Sequence, residues 1–225
     1  MVLINNYIQT LEHEFKCNSN AKIAAGQKAY MRDQFEFFGI KTPKRRTLQK
    51  PLLANEYLPP KSELETIVTI LWNKPEREFQ LFAQELVSKY TRVFEIKDLS
   101  LLEYMVTHKS WWDTVDYIAA KLMSAYFKLY PSLIDSAIEK WLSSGNIWLQ
   151  RCCILYQLKS KDKIDIKRLE YIIKKLLGSK EFFINKAIGW VLREYSKTNP
   201  NWVINFVAKN NLTPLSKREA LRLLS

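Results

Sequence analysis

The stretch from Lys109 to Met123, KSWWDTVDYIAAKLM, sets two tryptophans beside two aspartates at the head of a helical apolar pattern. At roughly 100° per residue, Trp111, Val115, Ile118 and Leu122 form one stripe, the expected core face. Trp112, Asp116, Ala119 and Met123 form a second stripe about a quarter-turn round. Trp112 and Asp116 are four apart and so are neighbours on the helix surface. An outward carboxylate beside an indole can stabilise developing positive charge or orient a water. The same spacing suits an indole packed at a repeat edge with a solvated aspartate nearby. Spacing alone leaves both readings open.

Three other stretches carry residues with chemical potential. In SKEFFINKAIGWVLREYSKTNP, Phe183, Ala187, Ile188, Val191, Leu192 and Tyr195 supply a buried face. Lys186, Trp190, Arg193 and Lys197 share another face, within about 60° of one another. A tryptophan inside a three-cation stripe is placed to meet a phosphate backbone while offering a ring face. The plainer reading is a basic face draped over the indole. In NIWLQRCCILYQL, Arg151 lines up with Trp148, Leu155 and Leu158. An arginine in an apolar stripe needs an anion, either a nearby carboxylate or a phosphate. In YMRDQFEFFGIKTPKRR, a helix carrying Tyr30 is expected to end near Gly39, and a new helix to start at Pro43 or Lys44 with Thr42 as its cap. Its first-turn amides can hold a phosphate, with Arg45 and Arg46 beside them. The alternative is an ordinary capped helix with solvated arginines.

Helices must position these groups. Apolar residues recur at three and four spacing through most of the chain, and no period-2 strand emerges. Polar breaks at Asn73-Lys74-Pro75, His108-Lys109-Ser110, Ser143-Ser144-Gly145 and Gly178-Ser179-Lys180 lie about 35 residues apart. Paired helices at that period are the signature of an α-solenoid, whose pairs must stack to bury both flanks. The expected fold is therefore all-α, a single domain over 1–225 of helical repeats, with positive charge gathered in a concave groove. Ser110 and Asp113 have the spacing of a capping box at the head of the Trp112 helix. PLLANEYLPP, residues 51–60, reads as a loop or a short broken helix.

The 35 Lys and Arg against 23 Asp and Glu give a net charge of +12, which points to a polyanionic partner, nucleic acid first. No run of 18 apolar residues and no amphipathic basic segment point to a membrane. Adjacent Cys152 and Cys153, with Cys17, do not make a disulfide framework, and a reducing cytoplasm fits. His13, His108 and the cysteines lack metal-ligand spacing, and no phosphate-binding loop pattern occurs. No heptad seam marks an interface, so a monomer is expected.

Together, YMRDQFEFFGIKTP, KSWWDTVD, NIWLQR and EFFINKAIGWVLREYSKTNP resemble the DNA alkylation repair enzymes of the AlkD type. That resemblance runs from about Tyr30 to Arg218. It implies HEAT-like repeats and a monofunctional bacterial DNA glycosylase for 3-methyladenine and 7-methylguanine in double-stranded DNA, acting in the cytoplasm on the nucleoid. It implies that Trp112 and Trp190 flank the lesion nucleotide, that Asp116 is the catalytic carboxylate, and that Tyr30 helps close the cleft. Thr42, Pro43, Arg46, Arg151, Lys186, Arg193 and Lys197 are then expected around the DNA backbone. No metal or cofactor is implied, and the base is not flipped into a pocket. The segment 51–60 and the short last helix depart from the family picture. A HEAT-like DNA-binding protein without catalysis is the alternative, against which the retention of Asp116 argues. A protein-binding scaffold fits the net charge of +12 poorly.

Overall fold

A computed structural model describes residues 2–224. By internal contacts the chain falls into two compact units, residues 1–93 and 94–225. Among the described residues every regular element is helical, and extended pairing is confined to one isolated parallel bridge between Glu36 and Glu76. No helix among them is long and apolar enough to cross a membrane. The expectation of an all-α repeat fold is met.

The first unit holds α1 (Val2–Cys17), α2 (Ala21–Tyr30), α3 (Thr42–Gln49), α4 (Leu64–Asn73) and α5 (Arg77–Val87). Short 3-10 turns at Pro51–Leu53, Asn55–Tyr57 and Lys61–Glu63 fill the segment that reads as broken helix. Two helix ends differ from expectation. α2 stops at Tyr30, well before Gly39, and α3 starts at Thr42, so Lys41 rather than Thr42 is its N-cap and carries no side-chain cap bond. What holds the turn between them is a buried carboxylate. Glu78 accepts the N–H groups of Phe38 (3.1 Å), Gly39 (3.0 Å) and Ile40 (3.1 Å). α2 itself ends where Arg32 (φ 55°) and Asp33 (φ 57°) turn left-handed and their N–H groups close on the carbonyls of Ala29 (3.0 Å) and Lys28 (2.9 Å). Burial pushes the Glu78 carboxyl above its ordinary range, against the pull of those amides.

Gly39 has φ +85°, and a Cβ there would lie 2.0 Å from the Asn20 carbonyl oxygen. Gly39→Ala is therefore expected to cost at least about 2 kcal/mol, from left-handed backbone and a backbone clash together. Urea unfolding should show the midpoint falling with the slope unchanged; an unchanged midpoint would mean the turn repacks freely.

The second unit holds α6 (Asp98–Thr107), α7 (Trp112–Tyr117), α8 (Ser124–Leu129), α9 (Ile134–Ser143), α10 (Ile147–Leu155), α11 (Ile166–Leu176), α12 (Phe182–Ser196), α13 (Pro200–Lys209) and α14 (Pro214–Leu221). The repeat is sharper in the structure than in the breaks. The second helices of successive pairs, α5, α7, α10 and α12, start at Arg77, Trp112, Ile147 and Phe182, 35 residues apart each time. Local signals set these boundaries. Gly145 (φ 68°) and Gly178 (φ 84°) follow α9 and α11 in the left-handed region that ends helices. Asn146 caps α10 through the N–H groups of Trp148 (2.9 Å) and Leu149 (3.2 Å), a cap worth about 1 kcal/mol.

Within this unit α7 packs on α10, α10 on α12, and α12 on α14, while α9 packs on α11. The apolar stripes read from sequence fill these contacts. Val115, Ile118, Leu122, Leu155, Ala187, Ile188 and Leu192 are each at most 1 % exposed. Burying each large side chain among them contributes about 1.5–3 kcal/mol. Between α7 and α8 the helix takes one π turn, Ile118–Met123. α8 is pinned beyond it, since the Tyr126 and Tyr130 hydroxyls donate to the carbonyls of Ile96 and Phe94, 2.8 Å each.

Candidate active site

The site is built on α7, α10 and α12. Trp112 opens α7, with extended Trp111 (φ −158°) as its N-cap and no side-chain cap bond. The expected capping box is therefore not formed. The Ser110 hydroxyl instead donates back to the Val106 carbonyl at 2.6 Å, closing the end of α6. Asp113 still stands in the first turn, where a negative charge suits the helix dipole.

Asp116 lies one turn beyond Trp112. Its carboxylate is gripped by Arg151 of α10: Nε donates to Oδ1 at 2.7 Å and Nη2 to Oδ2 at 2.9 Å. The third arm of the guanidinium, Nη1, donates to the Phe183 carbonyl at the start of α12. The Arg151 side chain is 4 % exposed and that of Asp116 17 %. Of the two anions that could satisfy Arg151, the carboxylate is the one it holds. The picture of a solvated Asp116 gives way to a partly buried, bidentate ion pair. Burial pushes the Asp116 carboxyl above the ordinary aspartate range; Arg151 pulls it back in part, and Asp113 adds to the rise.

An aromatic cluster braces the pair. Trp111 lies 5.8 Å from Trp148 and 5.3 Å from Phe183, and Trp148 lies 4.8 Å from Phe183, centroid to centroid. Trp111, expected as pure core, is half-buried and joins this cluster. Cys152 and Cys153 are buried, and burial pushes both thiols upward, which keeps them protonated and inert.

Trp190 is half-buried on α12. Its neighbours on the stripe are not bare cations. Glu219 of α14 takes Lys186 Nζ at Oε1 and Arg193 Nη1 at Oε2, each at 2.6 Å. Lys197 is exposed and donates to Glu194 at 2.6 Å.

Four expected site residues lie in the first unit. Tyr30 ends α2 and is 71 % exposed. Thr42 and Pro43 open α3. The Arg46 side chain is exposed, with Nε 3.5 Å from Glu85. Arg45 instead turns inward, donating to Gln49 (2.7 Å) and Glu85 (2.8 Å).

Sequence reasoning missed the Asp116–Arg151 bond, the Phe183 carbonyl and Glu219. The first had a signal: Asp116, Arg151 and Lys186 are one 35-residue repeat apart, so equivalent positions of stacked helices meet. Glu219 had a fainter one in Gly189, a helix-interior glycine that marks a close approach.

The family model described as "DNA alkylation repair enzyme" matches residues 11–224. The chain belongs to the DNA alkylation repair enzyme family. A solved structure from Enterococcus faecalis, described as a predicted DNA alkylation repair enzyme, superposes with a TM-score of 0.85 at 34% identity. That match covers 92% of this chain and 97% of the other. No curated protein sequence matches significantly. Membership of this family gives the chain a role in repairing alkylated DNA. The ion pair, the indoles of α7 and α12 and the basic stripe thus belong to a repair enzyme.

Proposed function

We propose that the chain works as one domain (1–225), a monofunctional DNA glycosylase that excises cationic N3- and N7-alkylated purines. The carrying observation is Asp116, a carboxylate beside Trp112 at the head of α7, held in place at both oxygens by Arg151.

Alkylation at N3 of adenine or N7 of guanine leaves the base positively charged and ready to depart. No strong general acid is then needed. The C1′–N bond breaks, its electron pair goes to the departing base, and positive charge spreads over C1′ and the ring oxygen of the deoxyribose. Asp116 stabilises that charge and orients the water that adds to C1′, as carboxylates do in glycoside hydrolysis. The water's proton passes to Asp116 or solvent, leaving an abasic site. Arg151 uses two of the roughly four acceptor positions of the carboxylate. The others stay available for sugar and water. Arg151 is thus a positioning residue that also favours the ionised form, and its burial suits that role better than the phosphate contact expected of it. The ring faces of Trp112 and Trp190 attract the cationic nucleotide. Tyr30, Thr42, Pro43, Arg46, Lys186, Arg193 and Lys197 are assigned to the DNA itself. The base is not flipped into a pocket, the reaction takes no metal or cofactor, and the protein acts as a monomer on bacterial DNA in the cytoplasm.

The test is duplex DNA carrying a single 7-methylguanine. Free base should appear, with an abasic site and no strand cleavage by the protein itself. Salt-sensitive binding without base release would replace this reading with a non-catalytic DNA-binding module.

A further inference from the structure

The cations that flank Trp190 on α12 share one buried anion. Glu219 bridges Lys186 and Arg193 at 2.6 Å each. Its side chain is 9 % exposed, against 39 % for Lys186 and 21 % for Arg193, so the cations reach past it toward solvent. Gly189 makes this possible. A Cβ at that position would lie 2.5 Å from the Glu219 Cβ and 3.0 Å from the Ser216 carbonyl oxygen. The glycine thus lets α14 settle against α12. The hydrogen bond and charge of Lys186, with the charges of Arg193 and Arg222, hold the Glu219 carboxyl below its usual range, and it is ionised at neutral pH.

Two cations and one anion leave one net positive charge where Lys186 and Arg193 alone would present two. A DNA phosphate approaching Lys186 and Arg193 meets the charge of Glu219 as well. We infer that Glu219 is a specificity-determining residue, a built-in carboxylate that occupies the phosphate-binding cations beside Trp190 and holds down affinity for undamaged DNA. The inference rests on the DNA glycosylase reading above. Non-specific affinity comes almost wholly from neutralised phosphates. A damaged site adds the cationic nucleotide against Asp116 and the indoles, and leans less on this pair. Reducing the charge that every phosphate feels therefore widens the gap between damaged and undamaged DNA.

Glu219→Gln keeps the shape and removes the charge. The variant should bind undamaged duplex about three- to tenfold tighter at low salt, with the slope of log K against log salt steeper by about one. Undamaged competitor should then inhibit base release at correspondingly lower concentration. A purely structural role would weaken binding instead. If thermal melting shows Glu219→Gln unfolded, Lys186→Gln and Lys186→Gln/Glu219→Gln take its place. The single variant should lose about one unit of slope and the double recover the wild-type value. Equal slopes with and without the carboxylate, in a folded background, would overturn the inference. Absence of any salt-dependent DNA binding by the wild type would strike the DNA reading itself and be recognisable as such.

Discussion

Asp116→Asn is expected to slow base release from 7-methylguanine DNA by about 10²–10³-fold, the size of effect seen when a group aimed at transition-state charge is neutralised. Affinity for undamaged duplex should change little, because that affinity belongs to the basic residues. The substitution also touches stability. Asparagine offers Arg151 one oxygen and sets an N–H against the other arm, so a guanidinium that is 4 % exposed loses half of its partner. That costs about 1–3 kcal/mol. Single-turnover rates taken well below the melting temperature separate the two effects. A rate within a few-fold of wild type in folded Asp116→Asn would remove the carboxylate from the chemistry.

Arg151→Met should move the pH dependence and not only the rate. In the wild type, burial already raises the Asp116 carboxyl above its ordinary value of about 3.9, while Arg151 pulls it down. The wild-type rate should therefore fall on acidification through a limb above that value. It should show no alkaline limb, because the cationic base leaves without a general acid. Without Arg151 the carboxyl rises further, so the acid limb moves toward neutrality. The loss of activity is then larger at pH 6 than at pH 9. Stability follows the same linkage. A carboxyl that binds its proton more tightly in the folded state loses stability as pH rises through the folded value. Arg151→Met should lose about 3–5 kcal/mol above the limb, where a buried carboxylate stands unpaired, and less below it. Melting curves across pH test this; a penalty that grows toward acid would contradict the assignment of the pair.

Much of this architecture was legible because it is local or periodic. The core stripe Val115, Ile118 and Leu122 follows from helical spacing, and the breaks at 73, 108, 143 and 178 follow from turn-forming residues. The need of Arg151 for an anion was legible too, because a guanidinium set among apolar side chains must find a counter-charge before it can be buried. Its choice of Asp116 is a contact between stacked helices, and no local pattern encodes it. The same holds for the turn around Gly39. Its amides are captured by Glu78, about 40 residues away, and the helix carrying Tyr30 has already ended where Arg32 and Asp33 take positive φ. Ser110 illustrates competition between neighbours: its hydroxyl serves the helix behind it, so the box ahead of it stays open. Glu219 was hidden because, within its own helix, a single acid among basic residues looks like ordinary surface.

The π turn at Ile118–Met123 carries a consequence for how this site tolerates insertion and deletion. Such a turn holds one residue more than the α-helix it interrupts. The far side of it is bolted down by Tyr126 and Tyr130. Removing one residue from the turn would let it close as plain α-helix with the near side close to its present phase, whereas adding one would swing the near side by about 100°. The insertion would rotate Trp112 and Asp116 together, out of phase with Arg151, in a protein that keeps its helices and much of its core. The surplus residue thus gives the carboxylate a one-sided tolerance: at that point the chain can lose a residue and keep its aim, but gaining one costs the aim while costing little of the fold.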